Sequence, residues 1–146
     1  MTRPKELDDF LGFWQITREI VDRASHQIGC FDGTAMFASD LRGLVYREDG
    51  ILTLGAVASM RATRCYVWQT DGPSIAVFFD DGRAFHTFSL NQALPMASHF
   101  CAPDTYEVTY DFSRWPNWSS NWKVTGPRKD YSMRSHYIRA VVDTGT

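Results

Sequence analysis

The sequence predicts an all-β protein: a single antiparallel up-and-down β-barrel, preceded by one short helical turn. Three observations point there. From Phe13 onward the apolar residues recur with a period of two, as half-buried strands require. Turn residues interrupt the chain roughly every 8–12 residues, the spacing of short hairpin-linked strands. No strand–helix–strand alternation and no long amphipathic helix breaks the series. A sandwich is the other economical arrangement. The barrel is favoured because nearly every connection is hairpin-length, so sequential strands become neighbours. Closure also removes the edges that aromatic strands would otherwise expose.

The elements follow in order. Pro4 to Leu11 holds one helical turn, with Asp8 and Asp9 too late in it to cap its start. In "FWQITREIV", Trp14, Ile16 and Ile20 share one face, which Arg18 interrupts. "SHQIG" turns the chain into "CFDGTAMFA", where Gly33 suggests a bulge or sharp bend. "GLVYREDGILTLG" reads as a hairpin with its turn at Asp49-Gly50. "MRATRCYVWQT" is the clearest strand, with Arg64, Tyr66 and Trp68 on one face and Thr63, Cys65 and Val67 on the other. "SIAVFFDDGRAFHTFSL" is a hairpin turning at Asp81-Gly82. Asn91 to Ala97 is a looser connection, after which "HFCAPDTYEVTYDF" restarts the sheet and aligns Tyr106, Val108, Tyr110 and Phe112. "WSSNWKV" and "YSMRSHYIRA" close a series of nine or ten strands, and Thr144-Gly145-Thr146 reads as a frayed tail. Trp118 and Trp122 face the same way, while Trp115-Pro116 packs as a plug at the strand's start.

Bulk properties narrow the function. The 146 residues suit one domain spanning 1–146. Fifteen basic against 17 acidic residues give a net charge of −2, which argues against nucleic acid as the partner. The N-terminus has no apolar signal core, and no apolar run reaches the roughly 20 residues that span a bilayer. Cys30, Cys65 and Cys101 are odd in number and form no CxxC, so reduced thiols in a cytoplasmic protein are expected.

Gly12-Phe13-Trp14, after a short helical turn, resembles the lipocalin and calycin signature. That resemblance implies a tryptophan plugging the closed end of the barrel, with an arginine from the last strand lying across it. "SHYIRA" supplies Arg139 for that clamp, so Gly12, Trp14 and Arg139 take structural roles. The whole chain, through "FDGTAMF", "YREDG", "YVW", "FFDDGRAFH", "HFCAPDTY", "WPNW" and "WKVTGPRKDY", resembles an uncharacterised lipocalin-like domain family found mostly in bacteria. The family has no established activity. Calycins in general imply a small apolar or amphipathic ligand inside the cup.

Several groups could carry chemistry. His99 and Cys101, two apart, point the same way on a strand, and His86 sits on a strand that could lie nearby. A His-Cys-His metal site lacks the usual tight spacing, so no metal is predicted, and the plain reading is hydrogen-bonded groups lining a cavity. Haem on His86, His99 or His136 is the other cofactor considered; none is predicted. If Arg64, Tyr66 and Trp68 face inward, the cup holds a cation, a phenol and an indole, suited to an anionic amphipathic ligand. If outward, they are solvated strand residues, although three large side chains rarely crowd a solvent face. Asp80-Asp81 reads as an exposed turn. Arg128 and Lys129 form the tip of the last hairpin, either a solvated turn or a rim anchor with Arg128 folded inward.

The expected function is therefore binding of a small amphipathic or anionic molecule inside the barrel. The ligand-binding candidates are Arg64, Tyr66, Trp68, His86, His99, Tyr106, Trp122, Arg128 and Tyr131. Two alternatives stand beside it. One is an enzyme on a small organic substrate using His86 and His99 as an acid–base pair. The other is a structural or interaction module with a filled core, with a homodimer through an aromatic sheet face as its form of association.

Overall fold

The computed structural model describes residues 3–56 and 59–140; the proposed tail at 144–146 lies outside them. A 3-10 turn, Leu7–Phe10, precedes ten antiparallel strands. These are β1 (Gly12–Asp22), β2 (Gln27–Asp40), β3 (Gly43–Leu54), β4 (Met60–Asp71), β5 (Ser74–Phe79), β6 (Ala84–Ser89), β7 (Met96–Cys101), β8 (Asp104–Arg114), β9 (Asn117–Thr125) and β10 (Asp130–Arg139). The sheet order is β6-β5-β4-β3-β2-β1-β10-β9-β8-β7. This is the up-and-down barrel that the turn spacing predicts, of the lipocalin-like kind that the resemblance implies. β1 pairs with β10 from Trp14↔Arg139 to Asp22↔Tyr131, so the first and last strands are neighbours.

The ring is nearly but not fully closed. β6 and β7 end the sheet, and no backbone ladder joins them among the described residues. Side chains cross the seam instead. The His99 ring meets Phe85 edge-on at 5.3 Å and Phe79 at 5.9 Å.

The period of two does what the sequence requires of it. Along β1, Trp14, Ile16 and Arg18 are buried while Gln15, Thr17 and Glu19 are exposed. The same alternation buries Leu44, Tyr46 and Glu48 on β3, and Met133, Ser135 and Tyr137 on β10. At one end the interior is packed solid. Phe10 touches Trp68, Trp115 and Trp118 edge-on, at centroid distances of 5.2, 5.0 and 5.5 Å. Trp14 is fully buried, and its indole N–H donates to the Phe10 carbonyl at 2.9 Å. The Arg139 guanidinium lies 4.0 Å over the Trp14 ring and donates to the Leu11 and Asp9 carbonyls. A Cβ on Gly12 would sit 3.2 Å from the Arg139 guanidinium, so glycine leaves the room this clamp uses.

Asp9, contrary to the sequence reading, does cap the helical turn: its carboxylate accepts from the Lys5 and Glu6 backbone N–H groups at 2.8 and 3.1 Å. Two further readings need correction. Asp49-Gly50 is no turn: β3 runs unbroken from Gly43 to Leu54, and Gly50 lies opposite Gly33 of β2. The register passes through this pair without a bulge. A Cβ on Gly33 would fall 2.2 Å from the Asp49 carbonyl oxygen; one on Gly50 would fall 2.3 Å from the Asp32 carbonyl oxygen. The two glycines let the strands press together, and the buried Phe31 ring covers the gap. Second, the segment from His99 to Phe112 is divided. Ala102-Pro103 turns the chain between β7 and β8, with Cys101 opposite Asp104, because proline cannot donate to a ladder.

These contacts predict that Gly50→Ala destabilises the protein by about 2 kcal/mol or more, since backbone must shift. Urea unfolding measures it. A loss under ~0.5 kcal/mol would mean the strands are not in close contact there.

Candidate functional site

Opposite the plug, the barrel encloses an open cavity of about 540 Å³. The candidate residues divide cleanly by position. Arg64, Tyr66 and Trp68 of β4 face inward and line it, as do His86, His99, Tyr106, Trp122 and Tyr131. Arg128 does not. It is exposed in the β9–β10 turn, away from the cavity wall. Its neighbour Lys129 turns toward the rim instead, 3.0 Å from Asp104 and 3.4 Å from the Tyr106 hydroxyl. The short turn lets only one of two adjacent side chains fold back onto the barrel. His136 lies on the outer side of β10, between the buried Ser135 and Tyr137.

One wall of the cavity is a stack of rings. Phe85 lies near-parallel to Phe79 at 4.4 Å and to Trp122 at 5.1 Å. The other wall is polar, and most of it escapes the sequence reading. Arg18 and Glu48, only 7% and 2% exposed, form a two-pronged ion pair with N···O distances of 2.8 and 2.9 Å. Arg18 Nε also donates to Ser135 Oγ at 2.7 Å, and its guanidinium lies 5.1 Å over the Phe31 ring. The Tyr46 hydroxyl donates to Glu48 at 2.5 Å and lies 2.9 Å from the Tyr137 hydroxyl. Tyr137 stacks face to face on Trp118 at 3.7 Å. Arg64 Nε stands 3.8 Å from Glu48, with its side chain 44% exposed.

The charges follow from these contacts. Burial alone would push the Glu48 carboxyl up, but hydrogen bonds and charge from Arg18, then Tyr46 and Arg64, hold it below the usual range and ionised. Burial would likewise lower Arg18, and Glu48 more than offsets that. Burial raises Tyr46, and pushes Tyr137 up to about 12, so both remain phenols.

His86 is a buried ring. It is 8% exposed, its Nε2 lies 2.7 Å from the Tyr110 hydroxyl, and its Nδ1, like Trp118 Nε1, is buried without a partner among the described residues. Burial, then the charge of His99, pushes its pKa down to about 3. The ring is therefore neutral near pH 7. Among the described residues, no three His, Cys, Asp or Glu side chains converge as a metal would need. No helix among the described residues is long and apolar enough to cross a membrane.

Arg18 and Glu48 left weak signals. Arg18 breaks the apolar face of β1 at an inward position, and Glu48 is in phase with Leu44 and Tyr46. The supposed turn at Asp49-Gly50 hid the second by placing Glu48 beside a loop.

A ten-stranded antiparallel barrel with a plugged end and a mixed aromatic–polar cup defines a lipocalin-like protein. Residues 10–139 match the "Family of unknown function (DUF6314)", and the chain belongs to that family. Among solved structures, the S-type phycobiliprotein lyase CpeS from Guillardia theta is similar. Its TM-score is 0.65 at 7% identity, covering 94% of this chain and 92% of that one. A DUF3598 family protein of unknown function from Nostoc punctiforme is similar at a TM-score of 0.56 and 13% identity, covering 92% of this chain and 49% of that one. At these identities the likeness concerns the fold. No curated protein matches the sequence significantly.

Two outcomes check the polar wall. Glu48→Ala leaves Arg18 buried and unpaired, which costs about 3–5 kcal/mol in urea unfolding; Arg18→Met with Glu48→Leu recovers most of it. His86 is the second. Because its folded pKa lies below the unfolded value near 6.5, the unfolded chain binds the extra proton between these values. Its contribution is then complete above about pH 6.5 and falls as pH drops toward 3, by up to ~1.4 kcal/mol per pH unit. Unfolding between pH 7 and 4.5 shows this slope, and His86→Phe flattens it.

Proposed function

We propose that the barrel binds a small amphipathic anion, such as an aromatic carboxylate, inside its cavity. The observation that carries this reading is the charge of the wall. Arg18, Arg64 and Arg83 line the cavity against a single carboxylate, Glu48. Arg18 is spent on Glu48 and Arg83 on Asp81 at 2.8 Å, whereas among the described residues Arg64 has only the 3.8 Å approach to a carboxylate already paired. Arg64 is thus the guanidinium with donors to spare, and a ligand carboxylate satisfies them. The apolar body of the ligand lies along Phe79, Phe85 and Trp122, whose near-parallel rings suit a planar group. A volume of about 540 Å³ falls within the range of small-molecule sites.

The similar barrel from Guillardia theta is named as a phycobiliprotein lyase. That name is compatible with a cup for a small organic group, but the anion reading rests on the wall charges. The open cavity speaks against a filled interaction module. A histidine acid–base enzyme has less support, since a ring titrating at about 3 exchanges few protons near pH 7. The three free cysteines suit a reducing, cytoplasmic setting.

The test is thermal shift and calorimetry with 2-naphthoate and medium-chain fatty acids. Bound ligand raises Tm by mass action. Arg64→Ala weakens carboxylate binding about tenfold, the loss of one charge-assisted contact, while the empty protein's Tm barely moves. A flat response across the carboxylates sinks the reading.

A further inference from the structure

The hydroxyls beside Glu48 form a chain whose proton direction is fixed. Glu48 is ionised and can only accept, so the Tyr46 hydroxyl at 2.5 Å must donate to it. Tyr46 has one proton and has used it. The Tyr137 hydroxyl, 2.9 Å away, must then donate to the Tyr46 oxygen. Tyr137 has now used its only proton too. Its oxygen, on a residue that lines the cavity, has lone pairs and no hydrogen to offer. The Ser120 hydroxyl, which also lines the cavity, donates to the same oxygen, so one acceptor position there is left for a ligand. A phenol that would ordinarily donate as readily as accept is locked as an acceptor by a carboxylate two hydrogen bonds away.

We infer that the cavity selects a ligand carrying a hydrogen-bond donor, a hydroxyl or an N–H, at the end that reaches Tyr137, in addition to the anionic group held by Arg64. This deepens the proposed anion site and rests on it. Arg64 and Tyr137 flank the same Glu48–Tyr46 unit, one through the 3.8 Å approach to the carboxylate and the other through the 2.9 Å hydroxyl contact. The two anchors therefore stand on one wall and face one ligand. An ether or carbonyl placed at Tyr137 would set lone pair against lone pair, and a buried polar group without a partner is disfavoured.

The experiment compares 6-hydroxy-2-naphthoate with 6-methoxy-2-naphthoate by calorimetry. These share carboxylate and ring and differ in the distal donor. The wild-type protein is expected to bind the hydroxy compound at least tenfold more tightly. Tyr46→Phe frees the Tyr137 proton, so the preference should fall to about onefold or reverse. Tyr137→Phe removes the acceptor and should lower affinity for the hydroxy compound alone. Should Tyr46→Phe fail to fold, Tyr137→Phe carries the comparison. If both naphthoates bind the wild type equally, the donor rule is overturned and the anion site stands. If neither binds, both fall.

Discussion

A carboxylate at 2% exposure inside a barrel is the constraint on which the polar half of this protein depends. Removing a charge from water costs several kcal/mol even after relaxation, and Glu48 keeps its charge only because Arg18 meets it with two hydrogen bonds. The pair ties β1 to β3 across β2, and Arg18 reaches β10 through Ser135. Everything polar nearby takes its sense from that negative charge. Tyr46 points its proton at it, Tyr137 points its proton at Tyr46, and Arg64 is drawn toward the same group from the open side. A buried ion pair is weak evidence for stability, because well-packed apolar residues often serve as well. Its presence in a cavity wall is better explained by what it does to the charge and hydrogen bonding of that wall.

The architecture was legible because its cause is local. Alternating side chains on a pleated strand bury every second residue, and "ITRE" or "YEVTYDF" show this without any partner. The tryptophan plug was legible too, through Gly12-Phe13-Trp14 and a terminal arginine. What failed was the glycine at position 50. An Asp-Gly step signals a hairpin when its neighbours fold back on each other, but here the glycine answers to Gly33, on another strand. A dipeptide cannot say whether its missing side chain makes room for a turn or for a neighbouring backbone. Only the register decides, and the register is a property of the whole sheet.

The same error explains why half of the site stayed hidden. With a turn at 49–50, Glu48 fell at the end of a strand beside that turn, and Arg18 read as an interruption of an apolar face. With β3 continuous, the two inward positions face each other and the pair assembles. Aromatic lining residues were found because β4, β8 and β9 carry their own phase. Arg128 and Lys129 could not be told apart in sequence, since a four-residue turn hides which side chain folds back.

The pairing of β1 with β10 bears on how the chain finds this shape. Among the described residues, every other strand pairing joins neighbours in sequence and closes a short loop. This one brings together residues such as Leu11 and Arg139, 128 apart along the chain. Closing a loop of that length costs about 3 kcal/mol more entropy than closing a four-residue turn. The arginine clamp and a continuous ladder from Trp14 to Asp22 lie at this junction, where Trp14 sits opposite Arg139. The gap in the ladder lies elsewhere, between strands that a short loop already tethers. Ladder and clamp thus join the strands that chain connectivity helps least, and the barrel is left unladdered where a short loop and the rings of Phe79, Phe85 and His99 hold the edges together.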